Sequence, residues 1–131
     1  MKRLVIDTNL LIPLLWRGDT GEPFFDEYDE MILPVTVLGE FKAGLFPTRA
    51  GDRNRNALDV FLQKATVKVA PITDRTADIY AKVYQALRKE GTPIPLNDMW
   101  IAASALENGA DLATCDAHFR NVPMLAVIVV D

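Results

Sequence analysis

The chain has 131 residues, half of them apolar, with 14 Lys and Arg against 18 Asp and Glu, for a net charge of −4. That length and composition suffice for one compact core, so a single domain over residues 1–131 is expected. They exclude a protein that holds nucleic acid by bulk positive charge alone. No apolar run nears the roughly twenty residues that span a bilayer, and the run Leu4-Val5-Ile6 meets Asp7 too soon for a secretory signal, which implies a cytoplasmic protein that does not engage membranes.

In chain order, Leu4-Val5-Ile6 reads as a buried strand. Leu10, Leu11, Leu14 and Leu15 predict a helix that Thr8 can cap, with an irregular first turn at Pro13. Met31-Ile32-Leu33 is a short extended piece before Pro34, and from Thr36 the residues Val37, Leu38, Phe41 and Leu45 recur at helical spacing. Pro47 to Asn56 reads as a polar loop, followed by a helix marked by Leu58, Phe61, Leu62 and Ala65. Val67-Lys68-Val69 is a strand. Asp74 can cap a helix with Ala77, Tyr80, Val83, Tyr84 and Leu87 inward, ended by Gly91. Beyond Pro93 and Pro95, a helix runs from Asn97 to Asn108, closed by Gly109; Leu112-Ala113-Thr114 and Val127 to Val130 are the last strands. Continuous apolar strands alternating with helices predict a three-layer α/β/α sandwich with a mostly parallel sheet. Ligands in such sheets sit beyond the carboxyl ends of the strands.

Asp7 directly follows the first strand, and Asp116 stands two residues beyond Leu112-Ala113-Thr114. Parallel strands bring both acids to one edge, where they repel unless a cation lies between them. A cap or turn would explain either alone; as a pair they point to metal. Glu40 shares a helix face with Val37, on or beside the stripe that faces the core, where a lone carboxylate is costly. Gly44, one turn on, leaves room beside it. A solvent-facing Glu at the stripe's edge fits the wheel equally well. Asp98 falls in the first turn of a helix, where the dipole stabilises its charge and lowers its pKa. The apolar Trp100-Ile101-Ala102-Ala103 that follows suggests that this turn looks into a cleft. Oxygen ligands suit Mg²⁺ or Mn²⁺, and such a site supports phosphodiester hydrolysis by activated water, through one ion or two roughly 4 Å apart. The single Cys115 allows no internal disulfide and no zinc cluster, and reads as a small half-buried residue at a strand end.

These segments resemble the PIN-domain family. Val5-Ile6-Asp7-Thr8-Asn9 resembles its opening motif and Glu40-Phe41-Lys42-Ala43-Gly44 its Glu-x-x-x-Gly helix. Asn97-Asp98-Met99-Trp100-Ile101-Ala102-Ala103 is similar to its third-acid segment, and Thr114-Cys115-Asp116-Ala117-His118-Phe119 to its Thr-x-Asp-x-x-Phe segment. Order and spacing agree over essentially the whole chain. The last two motifs, joined by the run from Ala105 to Leu112, are the specific ones, and the compact length and Asp-x-His-Phe ending are most similar to VapC-type toxins of toxin–antitoxin pairs.

The resemblance implies an endoribonuclease with Mg²⁺ or Mn²⁺ at Asp7, Glu40, Asp98 and Asp116. It also implies a homodimer, inhibited by a small antitoxin whose tail enters the groove. Thr8, Asn9, Asn97 and Thr114 then orient carboxylates or water, although helix capping would also account for Thr8 and Asn97. Lys42, Arg49, Arg53 and Arg55 are candidates to hold RNA phosphates or the antitoxin tail, or are simply solvated. His118 touches a phosphate or packs over the site; Trp16 and Trp100 read as core or interface residues. Single-stranded RNA suits a narrow acidic groove. A housekeeping PIN nuclease of RNA processing or decay would share every motif; an antitoxin gene beside this one separates the two. An idle interaction domain kept for dimerisation would not need four intact acids. A receiver-like Mg²⁺ module without hydrolysis needs a Lys at the end of a late strand, and here the last Lys is Lys89.

Overall fold

A computed structural model describes residues 1–17, 23–45 and 49–131. Strands β1 (Arg3–Ile6), β2 (Glu30–Pro34), β3 (Val67–Ala70), β4 (Asp111–Thr114) and β5 (Val127–Val129) form a sheet in the order β3-β2-β1-β4-β5. Every pairing is parallel, with Val5 opposite Ile32 on one side and Leu112 on the other. The middle strand is buried on both faces: Leu4, Val5 and Ile6 are each 0% exposed. That is why it reads as a continuous apolar run rather than an alternating one.

The helices are α1 (Thr8–Arg17), α2 (Val35–Leu45), α3 (Gly51–Leu62), α4 (Asp74–Glu90) and α5 (Leu96–Glu107). α1, α2 and α3 pack on one another, as do α4 and α5. The chain moves from β1 through β2 to β3 in one direction and then crosses back to β4. Right-handed crossovers therefore put the two helix groups on opposite faces, giving the expected three layers.

Several local details differ from the sequence reading. α1 runs unbroken through Pro13 and starts at Thr8, so the preceding Asp7 occupies the cap, its carbonyl accepting from Leu10 N–H at 3.1 Å. α3 begins at Gly51, so Arg53 and Arg55 lie on its first turns and not in a loop; Pro47 and Thr48 of that loop fall outside the described residues. α4 is capped by Thr73, one residue before Asp74; Thr76, not Ala77, is buried on its inner face, and Ala77 is exposed. Its neighbour is the α5 C-terminus: the Thr76 hydroxyl donates to Glu107 at 2.5 Å. Short 3₁₀ helices at Pro23–Glu27 and Ala117–Asn121 occupy stretches without apolar periodicity. Trp16 is half-exposed rather than core, its Nε1–H donating to Asn54 Oδ1 at 2.9 Å, whereas Trp100 stacks on Tyr80 with centroids 4.0 Å apart. Among the described residues, no helix is long and apolar enough to cross a membrane.

Candidate metal centre

β1 is flanked by β2 and β4, from which the chain departs in opposite directions. This is the switch point of the sheet, where a crevice opens beyond the carboxyl ends of the strands. α1 and α2 leave β1 and β2 directly at this edge, and α5, which leads back into β4, starts there. The topology therefore delivers three helix N-termini and two strand ends to one place. They enclose an open cleft of about 400 Å³ lined by Asp7, Thr8, Asn9, Glu40, Pro95, Asn97, Asp98 and Asp116. All four acids singled out in the sequence line it. Thr114, 0% exposed, lies beneath.

Each acid has a distinct setting. Asp7 is 4% exposed; its Oδ1 accepts the Thr8 N–H at 2.8 Å and its Oδ2 the Thr114 hydroxyl at 2.7 Å. Burial pushes its pKa above the ordinary value, against the lowering effect of these bonds, and Glu40 and Asp116 push it further. Glu40 stands at the solvent edge of the α2 stripe, whose buried members are Val37, Phe41 and Leu45. Its Oε1 accepts from the Thr8 hydroxyl at 2.7 Å and from Asn97 Nδ2 at 3.0 Å. Thr8 and Asn97 thus serve Glu40 rather than capping their helices. A Cβ on Gly44 would meet nothing within 4 Å, so the open space there does not depend on the missing side chain.

Asp98 sits in the first turn of α5, as read from the sequence, but its pKa is raised, not lowered. Burial first, then the charge of Asp7, push it up against the lowering effect of His118. Asp116 is exposed, and its backbone N–H donates to the Thr114 hydroxyl at 3.0 Å, so one threonine orients the ends of both β1 and β4.

His118, in the 3₁₀ helix after β4, was a candidate phosphate contact; its Nε2 lies 2.8 Å from Asp98 Oδ2. No periodicity relates positions 98 and 118, so this pairing was invisible in the sequence. Lys42, Arg49, Arg53 and Arg55 are not among the residues lining the cleft. Lys42 is exposed two residues beyond Glu40, roughly 200° around the helix. Arg53 lies over the Trp16 ring at 5.1 Å. The α3 start still flanks the site. A groove lined by Thr8, Ile12, Glu40, Phe41, Gly44, Leu45 and Asn54 shares Thr8 and Glu40 with the acidic cleft. Cys115 is exposed, not half-buried, between Thr114 and Asp116.

Carboxylate oxygens from four segments line the cleft, and among the described residues Asp98, Asp116 and His118 bring their potential ligand atoms within 4.8 Å of one another; hard divalent cations take such oxygen donors. Among the described residues, the single ion pair to any of them is His118–Asp98.

The PIN domain profile matches residues 4–125, and the chain belongs to the PIN-domain family. Within it, the chain is most like VapC-type proteins. It is 30% identical over 131 residues to Ribonuclease VapC of Rickettsia bellii (strain RML369-C), with 97% of this chain and 96% of that protein covered. It is 25% identical to Ribonuclease VapC4 of Mycobacterium tuberculosis (strain ATCC 25618 / H37Rv), with coverage of 99% and 98%. Among solved structures, it resembles VapBC2 from Rickettsia felis bound to a DNA fragment from their promoter, with TM-score 0.82, 21% identity, and 98% and 99% of the two chains covered. DNA-bound VapBC from Salmonella typhimurium matches at TM-score 0.82 and 22% identity, with 98% of each chain covered.

Proposed function

We propose that this chain is a divalent-metal-dependent endoribonuclease, a single nuclease domain over residues 1–131 that acts as the toxin of a toxin–antitoxin pair. The observation that carries the proposal is the convergence of Asp7, Glu40, Asp98 and Asp116 on one cleft at the sheet's switch point. The names of its relatives supply the RNA substrate and, through the VapBC complexes, the antitoxin partner.

Mg²⁺ or Mn²⁺ fits the site. Burial and mutual repulsion disfavour the charged forms of Asp7 and Asp98, and a cation reverses that balance. The four acids hold the ion. When bound, it supplies Lewis acidity, activating water and stabilising the charge that develops on the phosphoryl group. The chain's own residues do the positioning. Thr114 and the Thr8 N–H fix Asp7, while Thr8 and Asn97 fix Glu40. Asn9 is free to meet substrate, since it lines the cleft and is exposed. No side-chain nucleophile is required. Single-stranded RNA fits an open cleft with acids at its floor. Arg49, Arg53 and Arg55 on and before α3, with Lys42, are proposed to hold phosphates or the antitoxin tail, and the active form is a cytoplasmic homodimer.

The test is cleavage of single-stranded RNA by purified protein with Mn²⁺, Mg²⁺ or EDTA. Cleavage is expected only with metal, and Asp7→Asn or Asp98→Asn should lower it at least a thousandfold, on the order of 4 kcal/mol of transition-state stabilisation. Equal activity in EDTA would overturn the metal dependence. Co-expression with the neighbouring small gene should suppress cleavage; no suppression favours a nuclease without an antitoxin.

A further inference from the structure

The metal-site proposal rests on oxygen donors, but a nitrogen stands among them. The donor atoms of Asp98, Asp116 and His118 all lie within 4.8 Å of one another, and His118 Nε2 is 2.8 Å from Asp98 Oδ2. In an octahedral shell with bonds of about 2.1 Å, cis donors stand roughly 3 Å apart and trans donors roughly 4.2 Å. The His118–Asp98 separation is near the cis edge, and the trio's 4.8 Å limit exceeds the shell's diameter by about 0.6 Å, within reach of side-chain rotation at the exposed Asp116. The imidazole is held in place: His118 is half-buried against Phe119, with ring centroids 4.8 Å apart, and the Phe119 side chain is 0% exposed.

We propose that His118 is a nitrogen donor to the ion bound by Asp98 and Asp116, and that it makes the site selective for Mn²⁺ over Mg²⁺. The inference rests on the metal-site reading above. Mg²⁺ dehydrates reluctantly and takes oxygen donors, whereas imidazole suits transition-metal ions. On binding, the proton shared by His118 Nε2 and Asp98 Oδ2 would leave to solvent, so that the ion replaces the hydrogen bond between them.

His118 is the chain's single histidine, so any imidazole signal on the metal must come from it. The experiment uses untagged, full-length protein loaded with Mn²⁺. Electron spin-echo modulation should show coupling to ¹⁴N in the wild type and lose it in His118→Ala and His118→Gln while Mn²⁺ stays bound. Titration of free Mn²⁺, with Mg²⁺ as competitor, should show Mn²⁺ affinity falling about tenfold in both variants, with Mg²⁺ affinity changed less than twofold. Circular dichroism checks that the variants fold, and Gln retains a hydrogen bond to Asp98. Bound Mn²⁺ without ¹⁴N coupling in the wild type, or an unchanged Mn²⁺/Mg²⁺ ratio in the variants, overturns this inference and leaves the oxygen site standing. Wild-type protein that binds neither ion overturns both.

Discussion

The two edges of the sheet are both acidic, yet they are built on opposite principles. At the amino edge, where β1, β2 and β4 begin, Glu27, Asp29, Glu30 and Asp111 each meet a donor. Lys2 reaches Glu27 at 3.5 Å and its backbone N–H meets Asp29 at 2.8 Å, Arg3 pairs with Glu30 at 3.0 Å, and the Tyr28 hydroxyl donates to Asp111 at 2.6 Å. At the carboxyl edge, Asp7, Glu40, Asp98 and Asp116 line one cleft, and the donors to Asp7, Glu40 and Asp98 are threonine hydroxyls, an amide, one backbone N–H and one histidine. Two cations, Lys2 and Arg3, pair with two of the four acids at the amino edge, and neutral donors meet the other two. At the carboxyl edge, burial and neighbouring acids disfavour the charged forms of Asp7 and Asp98, the balance that the proposed cation would reverse. A fold can hold such a site only because the rest of the core, centred on Leu4, Val5 and Ile6, tolerates it.

The largest test of this contrast is metal itself. Mn²⁺ at a hundred times its Kd should stabilise the wild type by about 2.7 kcal/mol, or roughly 10 °C in Tm. Asp98→Asn should lose most of that gain, and substitutions at the amino edge should leave it intact. A Tm indifferent to Mn²⁺ in the wild type would remove the distinction between the edges.

The next effect lies at the amino edge. Tyr28→Phe strips the part-buried Asp111 of its donor and should cost about 1–2 kcal/mol in urea unfolding. Burial first, then Asp111, raises the Tyr28 pKa. The hydroxyl's contribution is therefore fully present below the unfolded value near 10 and is lost only as pH rises through the higher folded value. The deficit of the variant should be the same at pH 7 and pH 9. A deficit that shrinks over this range would mean that Tyr28 titrates earlier than its setting dictates.

A smaller effect of opposite sign belongs to the carboxyl edge. Asp7 is raised by burial, so its charged form disfavours the folded state. The wild type, without metal, loses stability as pH rises through the elevated folded pKa, and below 3.8 the group is neutral folded or unfolded. Asp7→Asn, whose amide can still meet Thr8 N–H and Thr114, should therefore raise the metal-free Tm at pH 7 by on the order of 1 kcal/mol, roughly 3–6 °C. The gain should vanish by about pH 3. A gain independent of pH would point to better packing, not relieved charge.

How much of this was legible follows from the same contrast. Asp7 and Asp116 could be placed because a continuous apolar run in a parallel sheet fixes which edge its end reaches, without knowledge of any partner. Glu40 could not, because a helical wheel gives the rim of the stripe, and only Thr8 and Asn97, far off in sequence, decide which side of the rim it occupies. For Asp98 the local signal was incomplete: the helix dipole is sequence-local, whereas the desolvation and the Asp7 charge that raise its pKa are tertiary. The start of α4 likewise turned on a reciprocal contact between Thr73 and Thr76 that local propensity does not rank, whereas α3 starts at Gly51 without a side-chain cap.

The smallest expected effect concerns Arg3. Its Nε pairs with Glu30 at 3.0 Å, and its Nη1 donates to the Asn108 carbonyl at 3.3 Å, at the end of α5. The contact links β1, β2 and α5, which would suggest an anchor. The Arg3 side chain is 43% exposed, however, and a pair in that setting gains little over solvation and loses more to screening as salt rises. Arg3→Met should cost less than about 1 kcal/mol in low salt. Most of that should disappear at 1 M NaCl, where the screening length falls to about 3 Å. A salt-insensitive loss above about 2 kcal/mol would show that the carbonyl contact, not the ion pair, ties α5 to the sheet. The amino edge would then be stabilised by backbone anchoring rather than by the ion pairs that distinguish it from the carboxyl edge.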